Sequence, residues 1–206
     1  MNPGFDPARA IASGVTVLTA DGGNMVRLAL TPERRQGVLG RDFGDAPTFL
    51  VWPGPFRPAT LSVDLCGSLL PDAPDYARGF VGLAWHITPG LERFEAAYLR
   101  PTNGAGLAPP PPRDQRAVQV FAYPDRKFDR LREEHPGRYE APADIRPDQW
   151  HRLSVDLTGP GPVVSVDGRE VLRLDAPLMP PAAGGVGLWV DIGTDGRFRN
   201  LSIIPA

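Results

Sequence analysis

Apolar positions along this chain recur every second residue far more often than every third or fourth, the signature of half-buried strands. Residues 15–19 (Val-Thr-Val-Leu-Thr) and 25–30 (Met-Val-Arg-Leu-Ala-Leu) flank Asp21-Gly22-Gly23-Asn24, a hairpin-type turn. Residues 48–52 form the next apolar run, which Pro53-Gly54-Pro55 is expected to stop. Residues 60–65 alternate cleanly. Residues 80–87 and 94–100 read as an antiparallel pair across Pro89-Gly90, and 117–123 as a further strand. Runs at 150–157, 163–166, 170–174, 187–190 and 198–204 complete the series. About a dozen short strands punctuated by turns predict an all-β fold, a two-sheet antiparallel sandwich of the jelly-roll kind.

Two segments break the alternation. Residues 108–112 (Ala followed by four Pro) can only be an extended connector. Residues 125–134 form the one helix candidate, with Phe128, Leu131 and Arg132 turned toward the protein and Pro136-Gly137 ending it. Strand patterns continue on both sides of the proline run, so residues 1–206 are expected to form a single domain with at most one short helix. Trp85, Trp150 and Trp189 fall in strongly patterned strands and are assigned to the core, with Trp52 at a rim.

Composition sharpens this picture. The 206 residues include 23 Gly and 25 Pro, too many for a helical bundle, while 42% hydrophobic residues suffice for a core. A net charge of −2 and a pI near 5.9 argue against a nucleic-acid partner. No apolar run reaches the length of a membrane span, so no membrane partner is expected either. Residues 1–10 lack the basic-then-apolar order of a signal peptide, which predicts a cytoplasmic location, or secretion if a leader has been trimmed. The single cysteine, Cys66, ends an apolar run and reads as a small buried hydrophobe. Asn200-Leu201-Ser202 matches a glycosylation sequon but lies inside a predicted strand, and is read as a chance match.

The chain has no Gly-rich phosphate loop, no Cys-x-x-Cys pair, no His-Glu-x-x-His and no Gly-x-Ser-x-Gly. Its richest polar stretch runs over residues 98–140. Tyr98 and Arg100 share one strand face, and Gln119 and Tyr123 share another. Gln115, Arg116, Arg130, Arg132, Tyr139 and Glu140 lie around them. Aromatic rings beside planar amides and guanidinium groups suit sugars, whose C–H faces stack on rings while their hydroxyls meet fork-like donors and acceptors. On strand 80–87, Trp85 alternates in phase with Val81, Leu83 and Ile87. His86 alternates with Phe80, Gly82 and Ala84, where small residues leave room for a ligand. His86 and Glu95 are the nearest candidates for a general base, with Arg100 to stabilise developing negative charge.

The run Ala77-Arg78-Gly79-Phe80-Val81-Gly82-Leu83-Ala84, followed by Phe94-Glu95 and Tyr98-Leu99-Arg100-Pro101-Thr102-Asn103-Gly104, resembles the concanavalin A-like lectin/glucanase superfamily. More narrowly it is similar to laminin-G-like jelly rolls and the related 3-keto-disaccharide hydrolase family. The late run Gly185-Val186-Gly187-Leu188-Trp189-Val190 and Phe198-Arg199-Asn200-Leu201 fits the same superfamily. The resemblance implies two curved sheets with a carbohydrate site on the concave face. Carried over by position, its candidates are Arg78, Glu95, Tyr98, Arg100, Asn103, Gln115, Gln119 and Tyr123. It also implies a calcium ion at a loop edge, where Asp191 and Asp195 flank Gly193-Thr194. The chain departs from the pattern at Ala117-Val118, where relatives carry a polar stretch, and it lacks the Glu-x-Asp-x-x-Glu motif of laminarinase-type glucanases. The expectation is a lectin-like domain that binds a glycan or a glycosylated small molecule. The alternatives are a glycoside hydrolase or lyase acting on (3-keto) sugars, with His86 and Glu95 catalytic, or a specialised-metabolism enzyme on the same fold.

Overall fold

The computed structural model describes residues 6–20, 24–35, 46–57 and 59–206. Strands are numbered in chain order. One sheet runs β1 (Ile11–Ser13), β4 (Phe49–Phe56), β13 (Gly184–Val190), β6 (Val81–Ile87), β7 (Phe94–Leu99), β8 (Val118–Tyr123) and β9 (Glu140–Ala141). The other runs β12 (Arg169–Arg173), β11 (Val163–Val166), β10 (His151–Asp156), β5 (Ala59–Leu69), β14 (Thr194–Pro205), β3 (Met25–Leu30) and β2 (Val15–Ala20). Every strand pair is antiparallel. The two-sheet sandwich is therefore the observed architecture. The loop residues 21–23 of the first predicted hairpin lie outside the described residues, but β2 and β3 pair as expected.

The sheets pack through one alternating set of side chains each. Val81, Leu83, Leu99, Val118, Leu188 and Val190 of the first sheet are buried, as are Leu61, Val63, Leu65, Leu153, Val155 and Phe198 of the second. Along β10 and β11 buried and open positions alternate as one buried face requires, whereas β6, β7 and β13 of the first sheet are buried on both faces. A Cβ on Gly196 would stand 2.5 Å from a Val190 methyl carbon and 3.1 Å from one of Val81, so bare backbone lets the layers meet there. Cys66 is buried, as its sequence position suggested, and burial pushes its thiol pKa up.

Several sequence expectations need correction. Strand β4 does not stop at Trp52 but continues through Pro53 and Pro55 to Phe56. Its register against β13 shifts between Trp52–Val186 and Phe56–Gly184, so the prolines occupy the irregular stretch and forgo no regular ladder bond. Among the described residues two α-helices are present rather than one. α1 (Pro32–Arg35) is a single turn with proline at its start, and α2 (Phe128–Glu134) is the anticipated helix. Leu131 is buried, but Phe128 is exposed and carries the Arg132 guanidinium 5.0 Å from its ring centre. Trp150 is only half-buried, lying under the Arg199 guanidinium at 4.1 Å. Trp52 is buried near the N-terminal segment, donating from Nε1 to the Asp6 carbonyl. Asn200 sits in a left-handed conformation and donates to Asp64 at 2.7 Å, so its amide serves the sheet. Among the described residues no helix is long and apolar enough to cross a membrane.

Candidate functional site

The outward face of the first sheet carries the polar residues singled out in the sequence. Strand pairing sets Phe49, Trp189, Gly82, Tyr98, Gln119 and Glu140 in one lateral row. Because laterally paired residues project to the same side, this row faces away from the second sheet. Gly82 stands between Trp189 and Tyr98, and its missing side chain lets their rings meet across it, with centroids 4.8 Å apart. A Cβ at position 82 would lie 2.3 Å from the Ala97 carbonyl oxygen and 2.6 Å from the Tyr98 Cβ. Gly82→Ala should therefore cost about 1–3 kcal/mol and displace the Tyr98 ring. Urea unfolding and the near-ultraviolet circular dichroism of the tryptophan–tyrosine pair check this; an unchanged spectrum would contradict it.

At the far end of the row the polar groups close into a network. Tyr98 donates its hydroxyl to Gln119 Oε1 at 2.8 Å, and Arg100 donates to the Tyr98 oxygen at 2.6 Å and also to Gln119 Oε1. Arg100 further donates to Glu140 at 2.7 Å. Arg132 binds the same carboxylate through two nitrogens, at 2.6 and 3.0 Å, and Arg116 lies 3.3 Å from it. Burial raises the Glu140 pKa, but its bond to Arg132 and the charges of Arg100 and Arg132 outweigh this and hold it below the usual range. Burial pushes the Tyr98 phenol up to about 12, so it remains a hydroxyl donor. The Gln119 amide cannot turn over, because that would set its NH2 against the Tyr98 and Arg100 donors. Its Nε2 is thereby left buried with no partner, and Gln119 is wholly buried.

The remaining sequence candidates divide. Asn103 is buried and clamps the loop, donating to the Arg116 carbonyl at 2.9 Å and accepting from Arg113 at 2.9 Å. Arg78 donates to the Asp75 and Ala77 carbonyls beside the network. Gln115 is exposed and bonded to Asp114, outside the network. Tyr123 shares the Gln119 face but stacks on Phe94 at 5.3 Å, toward the other end of the strand. Arg113 was missed in the sequence because it sits in the proline-rich connector, where no periodicity marks it.

His86 and Glu95 do meet, but elsewhere. Residues 85 and 86 oppose the single residue Val186, since β13 pairs Gly185 with Ile87 and Gly187 with Ala84. This bulge puts His86 at φ 50° and turns it toward Glu95, not onto the face of Gly82 and Ala84 as simple alternation predicted. His86 Nδ1 lies 2.7 Å from Glu95 Oε2, and Glu95 Oε1 accepts from the Leu178 N–H at 2.7 Å. Glu95 projects to the opposite side of β7 from Tyr98, so Arg100 cannot serve a reaction at His86. The His86 ring lines a cleft of about 130 Å3 with Thr158, Pro160, Pro162, Pro177 and Pro181.

Asp191 and Asp195 do not fit a calcium ion. Asp195 is engaged by Arg27 at 2.5 Å and Arg197 at 2.9 Å, and Asp191 accepts from the Ile192 N–H at 2.7 Å. Two guanidinium groups on one carboxylate supply the charge that a metal would bring. Among the described residues no group of three or more His, Cys, Asp or Glu stands ready to hold a metal.

No family model matches the sequence, and no curated protein matches it. Solved structures do. The carbohydrate binding module CBM66 from Bacillus subtilis is 13% identical over 95% of both chains, with a TM-score of 0.60. A functionally unknown protein from Saccharomyces cerevisiae is 11% identical over 98% of both chains, with a TM-score of 0.55. A Bacillus subtilis protein of unknown function with a galectin-like fold is 10% identical over 93% of this chain and 87% of its own, with a TM-score of 0.50. At such identities the likeness is one of fold, and the fold is the two-sheet antiparallel jelly roll.

Proposed function

We propose that this protein is a carbohydrate-recognising domain whose ligand docks on the outward face of the first sheet, at the Tyr98–Arg100–Gln119 network. The observation that carries this reading is the Gln119 amide. A buried donor without an acceptor costs about 1–3 kcal/mol, and a sugar hydroxyl oxygen admitted past the side chains that enclose Gln119 would relieve it. The Arg100 and Glu140 groups around it are fixed by mutual hydrogen bonds, so little order remains to be imposed on binding. The fold-level likeness to a carbohydrate binding module agrees with this reading.

The test is a glycan panel titrated against the wild type and Gln119→Glu. The variant keeps an oxygen for Tyr98 and Arg100 but removes the unpartnered NH2. It should unfold no more easily than wild type while losing at least about tenfold in affinity, the equivalent of one hydrogen bond. Equal affinity of the two proteins would refute the placement.

A second reading rests on the 2.7 Å contact between His86 and Glu95. Glu95 fixes one imidazole nitrogen and leaves Nε2 for the adjoining cleft, the arrangement of an oriented general base. The activity would be hydrolysis or elimination on a keto-sugar glycoside. Incubation with 3-keto-glycosides should then release aglycone, and His86→Ala should abolish the release; absence of turnover in the wild type removes this reading.

A further inference from the structure

We propose that the saccharide bound at the outward face is anionic, its carboxylate or sulfate group received by the arginines gathered at the Glu140 end of the row. The proposal rests on the carbohydrate reading above and specifies the ligand's charge. Arg78, Arg100, Arg132 and the neighbouring pair Arg113 and Arg116 arrive from four segments of the chain. Three of them share a single carboxylate, that of Glu140. Arg113 is held by neutral oxygens instead, donating to Asn103 and to the Thr102 carbonyl, and Arg78 is held by carbonyls. Asp75 and Asp114 lie alongside, yet the Asp114 carboxylate accepts from Gln115 and Asp75 meets Arg78 through its carbonyl. Arg78 and Arg113 thus carry guanidinium groups bonded to neutral oxygens alone, although Asp75, Asp129 and Asp191 stand within electrostatic reach of the cluster.

The crowding of guanidinium groups is felt within the protein. Burial first, then the charges of Arg113 and Arg100, hold the Arg78 guanidinium below its usual range. Like charges crowded in a half-buried site are unfavourable, and an incoming anion would remove the penalty. The guanidinium fork also matches the paired oxygens of a carboxylate or sulfate. Arg116 and Arg132 retain 31% and 27% side-chain exposure, so a ligand can reach them, whereas Arg100 lies deeper against the Tyr98 ring at 4.8 Å. The rim arginines then meet the charge, and Gln119 is reached only as the side chains enclosing it give way.

Calorimetric titration with oligogalacturonate, heparin oligosaccharide and neutral maltooligosaccharide tests the proposal at low and at physiological salt. The anionic probes should bind at least about tenfold more tightly than the neutral one, and the difference should shrink as salt rises. Oligogalacturonate alone would assign a carboxylate, heparin alone a sulfate group. Arg116→Gln should lower the anionic affinity roughly tenfold. Arg173→Gln, in the exposed β12 on the other sheet, should leave it unchanged. Neutral and anionic probes binding equally would overturn the charge assignment and leave the carbohydrate reading standing. Equal losses from the Arg116 and Arg173 variants would overturn it as diffuse electrostatics. No binding of any glycan would overturn both.

Discussion

Glu140→Leu should lower the unfolding free energy by roughly 3–5 kcal/mol, the usual result of removing one member of a buried charged group. The carboxylate is almost wholly enclosed, and it is the partner of Arg100, Arg116 and Arg132 together. Leucine fills similar space but leaves the buried Arg100 guanidinium without its counter-charge. At roughly 2–4 °C per kcal/mol for a chain of this size, the melting temperature should fall by about 10 °C. Acid should act in the same direction. The Glu140 pKa in the fold lies below its ordinary 4.5, so its contribution is complete above that value and is lost as pH falls through the lower, folded one. Wild type should therefore shed this part of its stability below about pH 4, while the leucine variant lacks it at every pH. Urea unfolding between pH 7 and pH 3 measures both effects. A leucine variant as stable as wild type at pH 7 would mean that the three arginines do not depend on this carboxylate.

Glu95→Leu should be of similar size, roughly 3–5 kcal/mol, for a different reason. Glu95 is wholly buried and joins three parts of the chain: its own strand β7, His86 on β6 and the Leu178 amide. Leucine leaves both an imidazole nitrogen and a backbone N–H without an acceptor. Glu95→Gln keeps one acceptor oxygen and should cost about half as much. Thermal unfolding ranks the variants, and hydrogen exchange at the Leu178 amide locates the damage. Exchange there should accelerate in the leucine variant; unchanged protection would show that the loop is held by something else.

These two clusters show what could be read from the chain beforehand. Alternation marks strands such as β10 and β11, whose sheet buries one face, whereas β6, β7 and β13 are buried on both faces; the same parity brings Tyr98, Arg100 and Gln119 together. It failed at His86, where two residues oppose one and the count of faces slips. It failed at β4 for the same reason, since a register shift shelters prolines that would break a regular ladder. β9 has two residues, too few for any period, although its Glu140 is the centre of the arginine cluster. That Arg132 reaches this centre, and that Arg78 and Arg113 come near Arg100, depends on how connections fold over the sheet, which local pattern does not encode. Position alone reads Asp191 and Asp195 as metal ligands, but Asp195 is engaged by Arg197 two residues on along β14 and by Arg27, which the β3–β14 pairing brings in and the loop itself does not show.

The position of β14 has a consequence for how the protein is made. It follows every other strand in the chain, yet it lies between β5 and β3 in the middle of its sheet. Until residues 194–205 emerge from the ribosome, β3 and β2 have no lateral connection to the strands from β5 to β12. The first sheet has all its strands by residue 190, so it can assemble while the second waits with two unpaired edges. Closure then depends on contacts of long sequence separation, which form slowly. Ribosome-stalled chains ending before residue 194 should be the species most open to protease and to mispairing.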